Sequence, residues 1–199
     1  MARQVFVDID TQADFINDDG ALAVPGAMSI RDNLQKLTQY ALAHHIPIIA
    51  SADAHPRDDK EFEIFPPHCV QDTPGQKKIP ETCAHQAATV KNAPFQHNLQ
   101  ALIDKTNQIV LEKQTFDVFS NPNTAALLKA INADEHIVYG VATDYCVKAA
   151  ALSLLDAGYN VTVVSDAIAA VSEEGGKEAI ALMRENGAVF KRTQEIIGR

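Results

Sequence analysis

Asp10, Asp53, Lys113 and Cys146 each stand at or just beyond the end of an apolar run in a chain of 199 residues. An acid, a base and a thiol on one edge of a fold could do nucleophilic chemistry. Asp10 would accept the thiol proton, a Cys–Asp pairing in place of the commoner Cys–His, and a nearby Lys113 ammonium would lower the thiol pKa. Cys146 lies in "GVATDYCVKAA", Gly140 to Ala150. Thr143 or Asp144 can cap the helix that follows, which places Cys146 in its first turn. There the macrodipole and free N–H groups favour a thiolate and could hold an oxyanion. Taken singly, each residue also has a plain reading: Asp10 as a turn or cap, Lys113 as a solvated strand end, Cys146 as a small buried hydrophobe or a metal ligand.

A second constellation lies in "ADAHPRDDKEFEIFPPHC". Asp53, His55, Glu61 and His68 offer two imidazoles and two carboxylates, a set that suits Zn, Fe, Mn or Mg to differing degrees and leaves positions for water or substrate. Asp-x-His at a strand end is a compact two-ligand anchor. Pro66 and Pro67 would stiffen the backbone that presents His68. Asp58, Asp59 and Glu63 are competing carboxylates, and an acidic, solvated loop with incidental histidines is the alternative reading.

The elements that must position these residues alternate along the chain. Strands are predicted at Gln4 to Ile9, in "IPIIASAD" ending near Asp53, in "QIVLEK" ending at Lys113, in "HIVYGVA" ending at Ala142, in "YNVTVVSD" ending at Asp166, and in a short "AVFKR" near the C-terminus. Helical periodicity fills Ser29 to His45, Asn123 to Ala133, Asp144 to Ala157 and Glu174 to Asn186. About six strands separated by helices predict an α/β fold: a three-layer α/β/α sandwich around a mostly parallel, Rossmann-like sheet. In such sheets ligands bind beyond the carboxyl ends of the strands, where strand order reverses. Ala54 to Gln96 breaks the alternation. It carries six prolines and little periodicity, and structureless loops longer than about 15 residues are uncommon in compact domains unless functional or disordered.

Composition narrows the partners. The chain is 46% hydrophobic and 22% charged with a net charge of -9, which fits one globular domain over residues 1–199 and argues against nucleic acid or an anionic membrane. No apolar run approaches the roughly 18 residues of a membrane span, and the N-terminal "MARQVFVDIDTQADF" lacks the order of a signal peptide. Three cysteines, Cys69, Cys83 and Cys146, favour free thiols in a reducing cytoplasm. Neither a G-x-G-x-x-G nor a Walker loop follows the first strand, and no G-x-S-x-G elbow occurs. A small-molecule substrate is the expectation that remains.

"DTQADF" (Asp10 to Phe15), "GALAVPGA" (Gly20 to Ala27), "ADAH" (Ala52 to His55), "FPPHCVQDTPG" (Phe65 to Gly75) and "GVATDYCVKAA" resemble, in order and over nearly the whole chain, the isochorismatase-like cysteine hydrolases and within them the nicotinamidases. The resemblance implies Asp10, Lys113 and Cys146 as a catalytic triad. It also implies one divalent metal ion, foremost zinc, held in the loop insertion of about residues 54–96 together with Asp53. The ligands would be Asp53, His55 and His68, with Glu61 where many members carry a third histidine. A cis peptide between Val141 and Ala142 is implied as well, with the Ala142 and Cys146 N–H groups forming an oxyanion hole. Phe15, Phe65 and Phe116 would wall a flat ring, and the protein would form a homo-oligomer. The implied reaction is hydrolysis of nicotinamide to nicotinate and ammonia through a Cys thioester, a step of NAD salvage. One departure stands out: many nicotinamidases carry a Gly- and Tyr-rich turn after the lysine, whereas this chain reads "KQTFDVFSNPN". The alternative is therefore a hydrolase of the same family acting on another small amide or carbamoyl substrate.

Overall fold

The computed structural model describes residues 3–94 and 98–198. The end of the predicted loop insertion, residues 95 and 96, lies outside them. In chain order the elements are β1 (Gln4–Ile9), α1 (Ala13–Ile16), α2 (Ala27–Ala43), β2 (Ile48–Asp53), β3 (Ala87–Val90), α3 (Leu99–Lys105), β4 (Gln108–Lys113), α4 (Thr124–Ile131), β5 (Glu135–Val141), α5 (Lys148–Asp156), β6 (Val161–Ala169), α6 (Glu173–Glu185), β7 (Val189–Lys191) and α7 (Thr193–Ile197).

Among the described residues the strands form one sheet of seven, in the order β3-β4-β2-β1-β5-β6-β7, and every neighbouring pair is parallel. The fold is α/β as the alternation predicts, with seven strands rather than six. The added strand is β3, inside the stretch read as aperiodic. It is a four-residue edge strand whose Ala87 and Thr89 are exposed, so it shows neither a continuous apolar run nor an apolar alternation.

The period-two side-chain alternation of β1 divides the core between two faces. Val5, Val7 and Ile9 join Ile49, Val138 and Val163 under α4, α5 and α6. Phe6 joins Ile137, Tyr139 and Val164 under α1, α2 and α7. Strands buried on both faces must be apolar nearly throughout, which is why β2 and β5 read as continuous runs.

Strand order explains how distant residues meet. β4, β2, β1 and β5 are adjacent, so Lys113, Asp53, Asp10 and the turn after β5 fall side by side on one edge. Asp53 and Lys113 are direct partners in the β2–β4 register. The chain leaves β1 towards β2 on one side and leaves β5 towards β6 on the other, and the reversal between these adjacent strands opens the crevice in which α/β sheets bind ligands.

Candidate active site

Lys113 is the centre of the site. Its side chain is 0% exposed, and its Nζ lies 2.8 Å from Asp10 Oδ2 and hydrogen-bonds Asp53 Oδ1. The same ammonium lies 3.5 Å from Cys146 Sγ. Ser51, two residues before Asp53 on β2, donates its hydroxyl to Asp10 Oδ1 at 2.6 Å. Asp10 itself follows β1 with φ +49°, in the left-handed region that Asp tolerates better than most residues.

Two carboxylates and a thiol around one buried ammonium hold each other's charge states. Burial alone would discharge Lys113, but Asp10 and Asp53 outweigh it and raise its pKa well above the ordinary value. Burial raises Asp10 despite the lysine. Asp53 is held low, because Lys113 overcomes its burial. Cys146 departs from expectation. Lys113 does lower its pKa, but burial outweighs the lysine, and Asp10 and Asp53 add to burial, so the thiol is pushed well above its ordinary value. Burial thus favours the neutral thiol, which shares the Lys113 ammonium with Asp10.

The turn that carries Cys146 also differs in detail from expectation. Thr143–Val147 is a π-type turn before α5, its N-cap position is Ala142, and no side chain caps it. Asp144 cannot serve as the cap because its carboxylate is used elsewhere. It accepts the Val171 amide at 2.9 Å and the Ser172 amide at 3.1 Å, tying the Cys146 turn to the start of α6. The Val141–Ala142 peptide is cis.

On the other side of Asp53 the histidines gather. Asp53 Oδ2 lies 3.7 Å from His55 Nε2 and 3.9 Å from His68 Nε2, and Glu61 Oε1 lies 3.9 Å from the same His68 nitrogen. His55 is fully buried, yet its Nε2 has no hydrogen-bond partner. His68 Nδ1 faces the Pro66 carbonyl at 2.8 Å, which leaves its Nε2 directed at the cluster. A buried imidazole nitrogen without a partner beside two carboxylates fits a divalent cation, since histidine ligands characteristically spend their second nitrogen on a carbonyl or carboxylate. Ligand atoms of Asp53, His55 and His68 lie within 4.8 Å of one another. Of the competing carboxylates, Asp59 is drawn in differently, with Oδ2 2.9 Å from His55 Nδ1.

A pocket of about 500 Å³, partly open to solvent, joins the two groups. Cys146 and Asp10 lie on one wall and His68 and Glu61 on another, with Phe15, Phe65 and Phe116 among the aromatic lining. Sequence reasoning passed over Tyr145, which also lines the pocket, its ring tilted 60° against Phe116 with centroids 5.3 Å apart; its signal is its place beside the cysteine. Gln12 was missed as well. Its buried amide donates to the Asp53 carbonyl at 2.8 Å and accepts the Asp53 amide at 2.7 Å. It clamps the backbone of the one carboxylate shared by both groups.

The isochorismatase domain model matches residues 4–195. The nicotinamidase of Escherichia coli (strain K12) is 31% identical over 209 residues, spanning 94% of this chain and 93% of that protein. A zinc complex of the pyrazinamidase of Pyrococcus horikoshii superposes with TM-score 0.80 at 24% identity, covering 96% of this chain and 99% of that one. The pyrazinamidase/nicotinamidase of Streptococcus mutans UA159 gives TM-score 0.79 at 25% identity, covering 94% and 99%. With the family match running from the first strand to the last helix, the chain belongs to the isochorismatase domain family.

Proposed function

We propose that the protein is a metal-containing cysteine amidohydrolase that cleaves nicotinamide to nicotinate and ammonia. The observation that carries this reading is the single buried Lys113 ammonium, which touches Asp10, Asp53 and Cys146 at the base of an aromatic pocket. Asp10 takes the thiol proton, the two groups meeting at the Lys113 ammonium, 2.8 Å from Asp10 Oδ2 and 3.5 Å from Cys146 Sγ. Cys146 Sγ then attacks the amide carbonyl. The oxyanion rests on the N–H groups of Ala142 and Cys146 at the start of the nucleophile turn. Asp10 returns its proton to the departing ammonia, leaving a thioester on Cys146. Water hydrolyses the thioester, releasing nicotinate and the free thiol. Lys113 balances the negative charge at each stage.

Asp53, His55, Glu61 and His68 would hold the divalent ion, and zinc suits this imidazole-rich set. When bound, the ion supplies a Lewis-acid site for the pyridine nitrogen, directly or through water. Phe15, Phe65, Phe116 and Tyr145 line the pocket between the two groups and suit a flat aromatic ring. The Pyrococcus relative's zinc complex and the 31% identity to a nicotinamidase support the reading. Its place would be in the cytoplasmic recycling of nicotinamide toward NAD.

Phe116, 42% exposed at the mouth, lies in the segment that departs from the nicotinamidase pattern, and it favours keeping another small amide or carbamoyl compound as the second reading. Ammonia release from nicotinamide, pyrazinamide and an N-carbamoyl amino acid, with zinc present, separates the two. Nicotinamide is expected to have the highest kcat/KM, and no turnover of it at millimolar concentration would overturn the assignment.

A further inference from the structure

Asp59 divides its carboxylate between two of the residues assigned to the metal. Oδ2 lies 2.9 Å from His55 Nδ1, and Oδ1 accepts the Glu61 amide at 2.9 Å as the cap of the short helical turn Lys60–Glu63. The Asp59 amide donates to the Pro56 carbonyl at 3.2 Å and closes the loop from His55 back onto itself. Beyond His55, Nε2 is buried, has no hydrogen-bond partner and faces Asp53. The side chain of Asp59 is 16% exposed, so the group sits just under the surface of the loop and outside the pocket lining.

From this geometry we infer that Asp59 is the positioning residue of the metal centre. A carboxylate can only accept hydrogen bonds, so its contact with Nδ1 puts the imidazole proton there and leaves the Nε2 lone pair for the ion. Through its second oxygen it fixes the turn from which Glu61 reaches the cluster. One side chain thereby sets the tautomer of one ligand and the backbone of another. This rests on the metal reading of the proposed function and not on which amide is hydrolysed.

Two substitutions separate orientation of the ligand from simple capping of the turn. Asp59→Ala removes both contacts. Asp59→Asn keeps the cap, since Asn caps about as well as Asp, with its Oδ1 on the Glu61 amide. That leaves its NH₂ facing His55 Nδ1, where it favours the tautomer with the proton on Nε2. Asp58→Asn, next door, is the control. The measurement is the zinc dissociation constant of each purified variant at mildly alkaline pH, by competition with a chelating fluorescent indicator, with circular dichroism to confirm folding. Loss of such a partner weakens metal binding about 10- to 100-fold, and that loss is expected in both Asp59 variants but not in Asp58→Asn. If Asp59→Asn binds zinc as tightly as the unaltered protein, Asp59 is only a cap and the inference fails, while the metal reading stands. If the unaltered protein binds no zinc, the metal reading fails and takes this inference with it.

Discussion

Asp10 is the base proposed to take the Cys146 proton, and both groups contact the Lys113 ammonium. Burial raises the carboxyl of Asp10 above the ordinary aspartate value, near 3.9. Only the ionised carboxylate can take the thiol proton, so kcat/KM must fall on acidification as pH drops through the raised Asp10 pKa. The acid limb of a kcat/KM profile is therefore expected above the range of an exposed aspartate, and a limb within that range would contradict the pairing. Lys113 contributes differently. Among the described residues it is the one cation touching all of Asp10, Asp53 and Cys146, and Lys113→Met takes that charge away from two buried carboxylates. Breaking a buried ion cluster from one side costs about 3–5 kcal/mol, so the variant should lose stability in urea unfolding as well as activity.

At the scale of elements, the edge shared by β1 and β5 is the most exacting. Gly140 pairs with Ile9, adopts φ +119°, and a Cβ there would stand 2.0 Å from the Ile9 carbonyl oxygen. Ile9 immediately precedes Asp10. Gly140→Ala should therefore destabilise by more than about 1 kcal/mol and, by pushing β1 aside, reduce turnover further than the stability loss explains. Unchanged urea midpoint and kcat would refute this. On the same strand, His136 is fully buried against Tyr159, and burial lowers its pKa, offset only in part by the Asn160 backbone. The folded state thus binds this proton more weakly than the unfolded one. Below the unfolded histidine value of about 6.5, stability must decline as pH falls toward the lower folded pKa, then level off. His136→Phe should flatten that part of a stability–pH curve.

Much of the site was legible because chemistry and strand ends coincide. Asp10, Asp53 and Lys113 each close an apolar run, and in a parallel sheet such ends share an edge. The edge strand β3 was not legible, since an exposed four-residue strand has no burial pattern to betray it. Nor were Gln12 and Ser51, whose roles depend on which strand lies next to which. The thiol pKa was misjudged for a related reason: the helix start and Lys113 can be read locally, whereas burial and the approach of Asp53 follow only from the assembled sheet.

For the whole molecule, the proposed metal centre would link the long loop to the sheet through Asp53, so occupancy should register in global stability. A ligand bound only by the folded state at 100 times its Kd adds about 2.7 kcal/mol, worth several degrees in Tm for a chain of this size at roughly 2–4 °C per kcal/mol. Zinc should raise the Tm of chelator-treated protein by that amount and leave His55→Ala unmoved. Among the described residues no helix is long and apolar enough to cross a membrane, and the described cysteines are free.

Cys146, not water activated elsewhere, is proposed to open the amide. Ammonia release from nicotinamide by zinc-loaded Cys146→Ala, measured against the unaltered protein at equal concentration, tests it most directly. Loss of the nucleophile of a covalent mechanism is expected to lower kcat by about a thousandfold or more. A variant that retains turnover within about tenfold would show that the thiol merely packs, and would contradict the account.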